Sequence, residues 1–529
     1  MPGSLKAIST EMFIALAQNF PITCASDEFY YFPQVKIESP DWSLWDCFTP
    51  QNIAGFGQRL SLWEKELTPL KRSEENQATQ IDRAILCRLS RTLREQLLEV
   101  KTWQTQPSFY LMIATIGLAD ALSSENPDAI HQRAATLPPF LDQAYKNFER
   151  IPDLFRDIGL AMIKDTNTYL SRLLKIAPEL NASLDALERF EAALYAAPTV
   201  PDFRLHRDLI EKIYHSHLGL GMDSQAIMAQ LDLEIKTMTH FLKKEAERID
   251  RSPLKASSTP RPWQQVIADI PPPEMGENGL LEFYKDIVRN LARYCVDKDL
   301  IPASLPGDYP VEVASVPSYL SAIRTASSYS ISPGHPPAGG TFYIINADNP
   351  NEAVQGYQRE HDILSAHETY PGHHLLDTCR WNLGSPIRRV MELPLFYEGW
   401  ACFAEELMRV TGFLNRPEDR LLLAQRRLWR AVRGKIDLGL QIGTMDFDTA
   451  ANLLHGAGIS LESAAEAVRK YPLNPGYQVC YSIGLCRFLD LYKRYGKKDT
   501  ALFVRSVLAQ GEIDFKDLEK VLLSIFPKN

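Results

Sequence analysis

No window of this 529-residue chain is long and apolar enough to span a bilayer, which argues against membrane-spanning helices. The opening residues, MPGSLKAISTEMFIALAQNF, lack a basic start followed by an uninterrupted apolar stretch and a small-residue cleavage site, so a soluble, cytoplasmic protein is expected. There is no long basic run either. With 57 Lys and Arg against 66 Asp and Glu, net charge −9, neither nucleic acid nor an anionic membrane surface is an expected partner. The eight cysteines, at positions 24, 47, 87, 295, 379, 402, 480 and 486, show no paired spacing, which excludes a zinc knuckle or a small disulfide scaffold and leaves reduced core thiols. Internal repeats and low-complexity tracts are absent as well. What remains is an ordinary globular composition, 45% apolar, with enough length for a large buried core and, by length alone, for several domains. The partner this composition suits is a peptide or a small molecule, such as a small amide; oligomeric state is left open.

The apolar residues recur at helical spacing along most of the chain. From Ile53 to Ile249 the segments ATQIDRAILCRLSRTLREQLLEV, YLSRLLKIAPELNASLDALERFEAALYAA and EIKTMTHFLKKEAERI each repeat every three to four residues. These residues, 1–250, form a helical N-terminal half. Proline-rich punctuation (RSPLKASSTPRPW, IPPPEMGENG) then marks residues 251–279 as a linker or crossover. The half that follows, 280–529, begins with another helix, LLEFYKDIVRNLARYC, and changes texture at VEVASVPSYL, the loop SPGHPPAGG and the β-like run Thr341 to Asn346. Helical patterning returns near His361. The fold class expected is mainly α, with one small sheet.

Chemistry is concentrated in Ser365 to Met408, SAHETYPGHHLLDTCRWNLGSPIRRVMELPLFYEGWACFAEELM. Two histidines one helical turn apart commonly share a zinc ion, with the Glu after the first acting as general base. Here His367 and His373 are six residues apart, which on an unbroken helix turns the second ring roughly 120° away. The intervening Pro371-Gly372 offers a remedy: a bulge in the helix that returns His373 to His367. His374 is the rival, but seven residues along a helix rise roughly 10 Å, too far for two bonds of about 2 Å to one ion. Glu398 is the expected third ligand, Glu368 the base, and Glu405, Glu406 and Asp377 are candidates for orienting the histidines. Against this stands the bland alternative that a lone His-Glu pair is surface or capping chemistry. The second histidine, the Pro-Gly step and the downstream Glu-Gly-Trp weigh against it.

The strings HETYPGHH and YEGWACFAEEL resemble the large, mainly bacterial family called domain of unknown function 885, marked by His-Glu-x-x-Pro-Gly-His followed by Glu-Gly-Trp. That family is itself similar to the helical gluzincin peptidases, the group of thimet oligopeptidase, Taq carboxypeptidase and angiotensin-converting enzyme. The resemblance covers about Pro310 to Ile513, while the N-terminal half shares only helical character. It implies a large helical metallopeptidase-like fold with a deep cleft, a small sheet near the metal, Zn2+ as cofactor and peptide-bond hydrolysis. His367, His373 and Glu398 would then be the ligands and Glu368 the base. It further implies Tyr481 as oxyanion donor, a phenol aimed at developing negative charge, although a core tyrosine is the alternative. Arg433 would clamp a substrate carboxylate, unless it pairs with Asp437 along its own helix.

The chain departs from the family pattern at Gln441 (usually His), Lys470 (Arg), Tyr477 (Gln) and Ala467 (Glu). Tyr477 is therefore a candidate for contacting a specialised substrate. The run Gly340 to Asn346 is read either as a strand edge holding the substrate backbone or as plain core strand, and the preceding loop, with His335, as a lid. Two other classes compete with a general peptidase: a metal-dependent amide hydrolase that tailors a modified peptide or natural product, and a catalytically inactive metal-containing protein that binds peptides.

Overall fold

The computed structural model describes residues 4–68, 76–250, 261–274, 279–316, 327–331, 340–345 and 359–527. The fold is mainly α, as expected, and no helix among the described residues is long and apolar enough to cross a membrane. Of the segment 251–279, residues 251–260 and 275–278 lie outside the described set, and Trp263–Ala268 forms a short helix. The proposed lid, with His335, also lies outside the described residues.

Seven helices and three strands position the site: α1 (Ser224–Asp250), α2 (Gly279–Asp297), α3 (His361–Glu368), α4 (His373–Trp381), α5 (Pro394–Thr411), α6 (Pro417–Gln441) and α7 (Tyr477–Leu491), with β1 (Val311–Ser315), β2 (Ser328–Ile331) and β3 (Gly340–Ile344). Local chemistry sets the ends of α5. Pro394, whose fixed φ suits a first helical turn, starts it, and Gly412 ends it in the left-handed conformation at φ 97°. α6 carries three rungs to α1: Arg420 to Glu245, Arg427 to Glu234 at 2.8 Å and Lys435 to Asp232 at 2.5 Å. Their partners descend in number as α6 ascends, so the two helices run antiparallel. One apolar cluster draws Met12, Phe20 and Leu187 from before the proline-rich segment together with Trp400, Phe403 and Leu428 from after it.

The sheet has the order β1-β3-β2, parallel between β1 and β3 and antiparallel between β3 and β2. β3 is thus central, both of its edges are taken, and Phe342 at its middle is fully buried. The substrate-edge reading of this strand is not what the structure shows; the plain core strand is. The outer strand that faces the histidines is β2.

α5 and α7 cross at a pair of glycines. A Cβ added to Gly399 would stand 2.6 Å from the Gly484 Cα, and one on Gly484 would stand 2.3 Å from the Leu395 carbonyl oxygen. Both obstacles are backbone, so neither can be swung aside. Gly399→Ala is expected to force the helices apart at a cost of about 3 kcal/mol. A thermal melt of the variant should fall by several degrees, and an unchanged melt would show that the crossing is looser than drawn.

Candidate metal centre

The Pro-Gly step does its work by ending one helix and starting another. A bulge in a continuous helix is the sequence expectation; instead α3 stops at Glu368, Thr369 leaves helical geometry at φ −120°, ψ −98°, and α4 starts at His373. Pro371 has no N–H to continue the ladder. Gly372 lies so close to the end of α3 that a Cβ there would be 1.8 Å from the His367 carbonyl oxygen. The Trp400 indole N–H, from α5, donates to the Pro371 carbonyl at 2.9 Å. The two motifs of the sequence are therefore physically tied. In Glu398-Gly399-Trp400, the tryptophan holds the turn, the glycine permits the crossing and the glutamate faces the histidines.

His367 and His373 meet across this turn with ring centroids 4.8 Å apart at 87°. Glu398 Oε2 lies 3.8 Å from His367 Nε2 and 3.6 Å from His373 Nε2. The three potential ligand atoms fall within 4.8 Å of one another, and all three residues are buried. Ligand atoms around a tetrahedral zinc stand roughly 3.3–3.5 Å apart, given bonds of about 2.0–2.2 Å. Small side-chain adjustments suffice. Glu398 Oε2 is buried and has no hydrogen-bond partner, an unfavourable position for a carboxylate oxygen that a cation would relieve. Two imidazoles and one carboxylate, with one oxygen orphaned toward both rings, fit a zinc-type ion.

His374 points elsewhere. Its Nε2 is 3.0 Å from the Tyr309 carbonyl oxygen and 3.1 Å from the Tyr370 hydroxyl, and its Nδ1 is 3.2 Å from the Tyr329 hydroxyl. Burial lowers its pKa to about 4, so it remains a neutral core imidazole.

The surroundings assign a tautomer to His367. Its Nδ1 is 3.0 Å from Glu405 Oε1, and that carboxylate is gripped by Arg430 at 2.7 Å and Arg426 at 3.1 Å. Burial alone would raise Glu405, but the two guanidinium charges outweigh it and hold the carboxyl well below its ordinary value. An ionised Glu405 accepts a hydrogen bond from the His367 Nδ1–H, beside Arg430 Nη2 at 3.3 Å from the same nitrogen, and leaves the Nε2 lone pair facing Glu398, the form a metal requires. Glu406, by contrast, pairs with Arg427 at 2.9 Å and Arg409 at 2.7 Å and touches neither histidine. Asp377 binds Arg380 at 2.5 Å and accepts from the Tyr397 hydroxyl at 3.3 Å. Tyr397 in turn stacks its ring on the His373 imidazole at 4.0 Å, and the Asp377 charge also acts on that histidine.

Glu368 is buried beside the rings, and its charge acts on both histidines. Its Oε2 accepts the backbone N–H of Tyr329, on β2, at 2.8 Å. The hydroxyl of Tyr477, the substrate-contact candidate from sequence, donates to Glu398 Oε1 at 2.7 Å. With Oε1 so occupied, Oε2 is the oxygen left for the histidines. Burial would raise the Glu398 carboxyl; His373, His367 and the Tyr477 bond bring it instead to about 2. Tyr477→Phe is expected to weaken zinc binding about tenfold while the fold persists, measured by competition with a chromophoric chelator. A higher KM with unchanged zinc affinity would assign Tyr477 to the substrate instead.

Tyr481 lies one turn further along α7, its ring 5.8 Å from that of Tyr477. Burial and then the Glu398 charge push its phenol well above the ordinary value, so it is a proton-bearing donor at this centre. Arg433 stacks over the Tyr481 ring at 4.8 Å and makes no ion pair with Asp437. That carboxylate accepts the backbone N–H groups of Gly476, at 3.0 Å, and Gln478, at 3.0 Å, and so caps the start of α7. Tyr397, Tyr477, Tyr481 and Arg433 are half-buried while the ligands are buried. Among the departures, Gln441 is buried with its Nε2 3.5 Å from the Pro472 carbonyl oxygen, Lys470 is exposed and Ala467 is half-buried.

Sequence reasoning placed no chemistry in the N-terminal half, and there it fell short. Tyr30 packs its ring 5.0 Å from that of Tyr477, and Gln34 bonds Glu392 at 2.8 Å and Arg380 at 2.9 Å. The signal available was an aromatic-rich loop, FYYFPQ, between two helices. Arg426 and Arg430 were also missed; their signal was an arginine-dense run, QRRLWRAVR, too polar for a helix whose face is buried unless acids wait opposite.

Residues 43–522 match the family described as bacterial protein of unknown function (DUF885). The chain belongs to the DUF885 family. The match reaches well beyond Pro310 to Ile513, into the N-terminal half, and takes in α1, which packs along α6. Two solved structures share the fold. One, a protein of unknown function from Shewanella oneidensis provisionally described as a lipoprotein, has a TM-score of 0.79 at 17% identity, covering 98% of this chain and 100% of that one. The other, from Colwellia psychrerythraea and provisionally described the same way, has a TM-score of 0.78 at 16% identity, covering 99% and 100%. No curated protein matches the chain.

Proposed function

We propose that this DUF885 protein is a zinc-dependent hydrolase that cleaves amide bonds in a peptide or peptide-like substrate. The observation that carries the reading is the orphaned Oε2 of Glu398, buried and aimed at the Nε2 atoms of two histidines while its other oxygen is fixed by Tyr477. His367, His373 and Glu398 would hold the ion, leaving one position open, as catalytic rather than structural zinc sites do. When bound, zinc supplies Lewis acidity that acidifies water and polarises a carbonyl.

The chain's own groups supply the rest. Glu368, steadied by the Tyr329 N–H, takes the proton of the attacking water and returns it to the leaving amine. Tyr481 donates its phenolic proton in a hydrogen bond to the oxygen on which negative charge develops. Glu405 holds His367 in its metal-binding tautomer, and no covalent intermediate with the protein is needed.

The test is zinc titration of the purified protein by calorimetry, followed by incubation with a mixed peptide library read by mass spectrometry. One zinc per chain together with new peptide termini is the expected result. Zinc uptake without any cleavage would favour the metal-containing binding protein, and no uptake would overturn both readings.

A further inference from the structure

Arginines crowd α6, and their partners differ in one instructive way. Arg420 pairs with Glu245, Arg426 with Glu405 and Glu360, Arg427 with Glu234 and Glu406, and Arg430 with Glu405. Arg433, less than a turn beyond Arg430, has no carboxylate within ion-pair distance among the described residues. Aromatic rings surround it instead: Trp429 at 4.4 Å, Tyr481 at 4.8 Å and Tyr471 at 5.9 Å from the guanidinium carbon. The nearest candidate partner along the helix, Asp437, is committed to capping α7.

Stacking on aromatic rings covers the faces of a guanidinium and leaves its in-plane N–H groups for hydrogen bonds, one of which reaches Tyr471. A half-buried cation held this way is fixed in direction and short of an anion. One of its ring partners is Tyr481, whose phenol interacts with Glu398, so Arg433 and the metal centre share this tyrosine.

We infer that Arg433 anchors a carboxylate of the substrate, and that the protein acts on amide bonds a short distance from a carboxylate-bearing end. This rests on the hydrolase reading for the reaction, though not for the binding. The planar fork of Arg433 takes the carboxylate bidentately while the scissile carbonyl falls near Tyr481 and Glu368. Two sources share this chemistry, a free C-terminus and an acidic side chain.

The test uses a mixed-sequence pentapeptide library in three forms: free acid, C-terminal amide, and amide with Glu at the last position. Cleavage by the zinc-loaded wild type is measured beside Arg433→Lys and Arg433→Met, and retention of each form on immobilised, zinc-loaded Glu368→Gln protein is measured in parallel, with and without Arg433→Met. The free acid should bind and react roughly 10- to 100-fold better than the amide, the range expected for a hydrogen-bonded charge pair. That preference should vanish in Arg433→Met and shrink in Arg433→Lys, which keeps the charge and loses the fork. Recovery by the Glu-ended amide identifies a side-chain carboxylate as the source; no recovery identifies the C-terminus. Equal handling of acid and amide by the wild type, or a preference that survives Arg433→Met, overturns the inference and leaves the hydrolase reading intact. If Arg433→Met does not fold, the wild-type comparison and Arg433→Lys decide. Selective retention of acids without cleavage of any form would sink the hydrolase reading and leave the carboxylate anchor standing.

Discussion

Glu368→Gln should retain one zinc per chain and lose about a thousandfold in hydrolysis rate, within the range general acid–base groups contribute. The substitution is close to isosteric and keeps a carbonyl oxygen to accept the Tyr329 N–H that now reaches Glu368 Oε2 at 2.8 Å. Geometry and packing are thus preserved while proton acceptance is removed. Zinc content by elemental analysis and single-turnover cleavage of the best library peptide check the two halves separately. A metal-loaded Glu368→Gln that still turns over at the wild-type rate would remove Glu368 as the base.

His373→Ala and Glu398→Ala should each abolish stoichiometric zinc, whereas His374→Ala should keep it. If about 12 kcal/mol of binding free energy is shared among three ligands, losing one costs about 4 kcal/mol, roughly a thousandfold in affinity. His374 differs from His373 by one position and by everything else: its nitrogens are engaged by Tyr309, Tyr370 and Tyr329. Replacing it leaves a void among buried aromatic residues and should lower the melting temperature without moving the zinc affinity. Elemental analysis of the three variants, with a melt of each, separates these outcomes. Zinc loss in His374→Ala at an unchanged melt would reverse the assignment of the two histidines.

These contrasts show why some residues were legible and others were not. Ligand chemistry is local. His367, Glu368, His373 and Glu398 announced themselves because few residue types can hold zinc, and because two of them sit beside a Pro-Gly step whose backbone consequences are set by the residues themselves. The helical half-turns were equally legible from 3.6-residue spacing, as in the segment that became α2. The sheet was only half-legible. β3 stood out as a run of β-formers, but its place between β1 and β2 depends on pairing partners that no local pattern names.

The sequence thus determined the helical class, the family, and which side chains have the chemistry for a metal centre, since composition, periodicity and ligand spacing all act over a few residues. The tertiary structure decided everything that depends on approach from a distance. It made Glu405 rather than Glu406 the partner of His367, turned Tyr477 onto Glu398, left Arg433 without an acid among the described residues, and packed Tyr30 against Tyr477, over 400 residues away along the chain. Each outcome follows from which helices cross and at what angle. A pair of glycines at positions 399 and 484 sets one such crossing, and neither glycine carries any sign of its partner in the sequence around it.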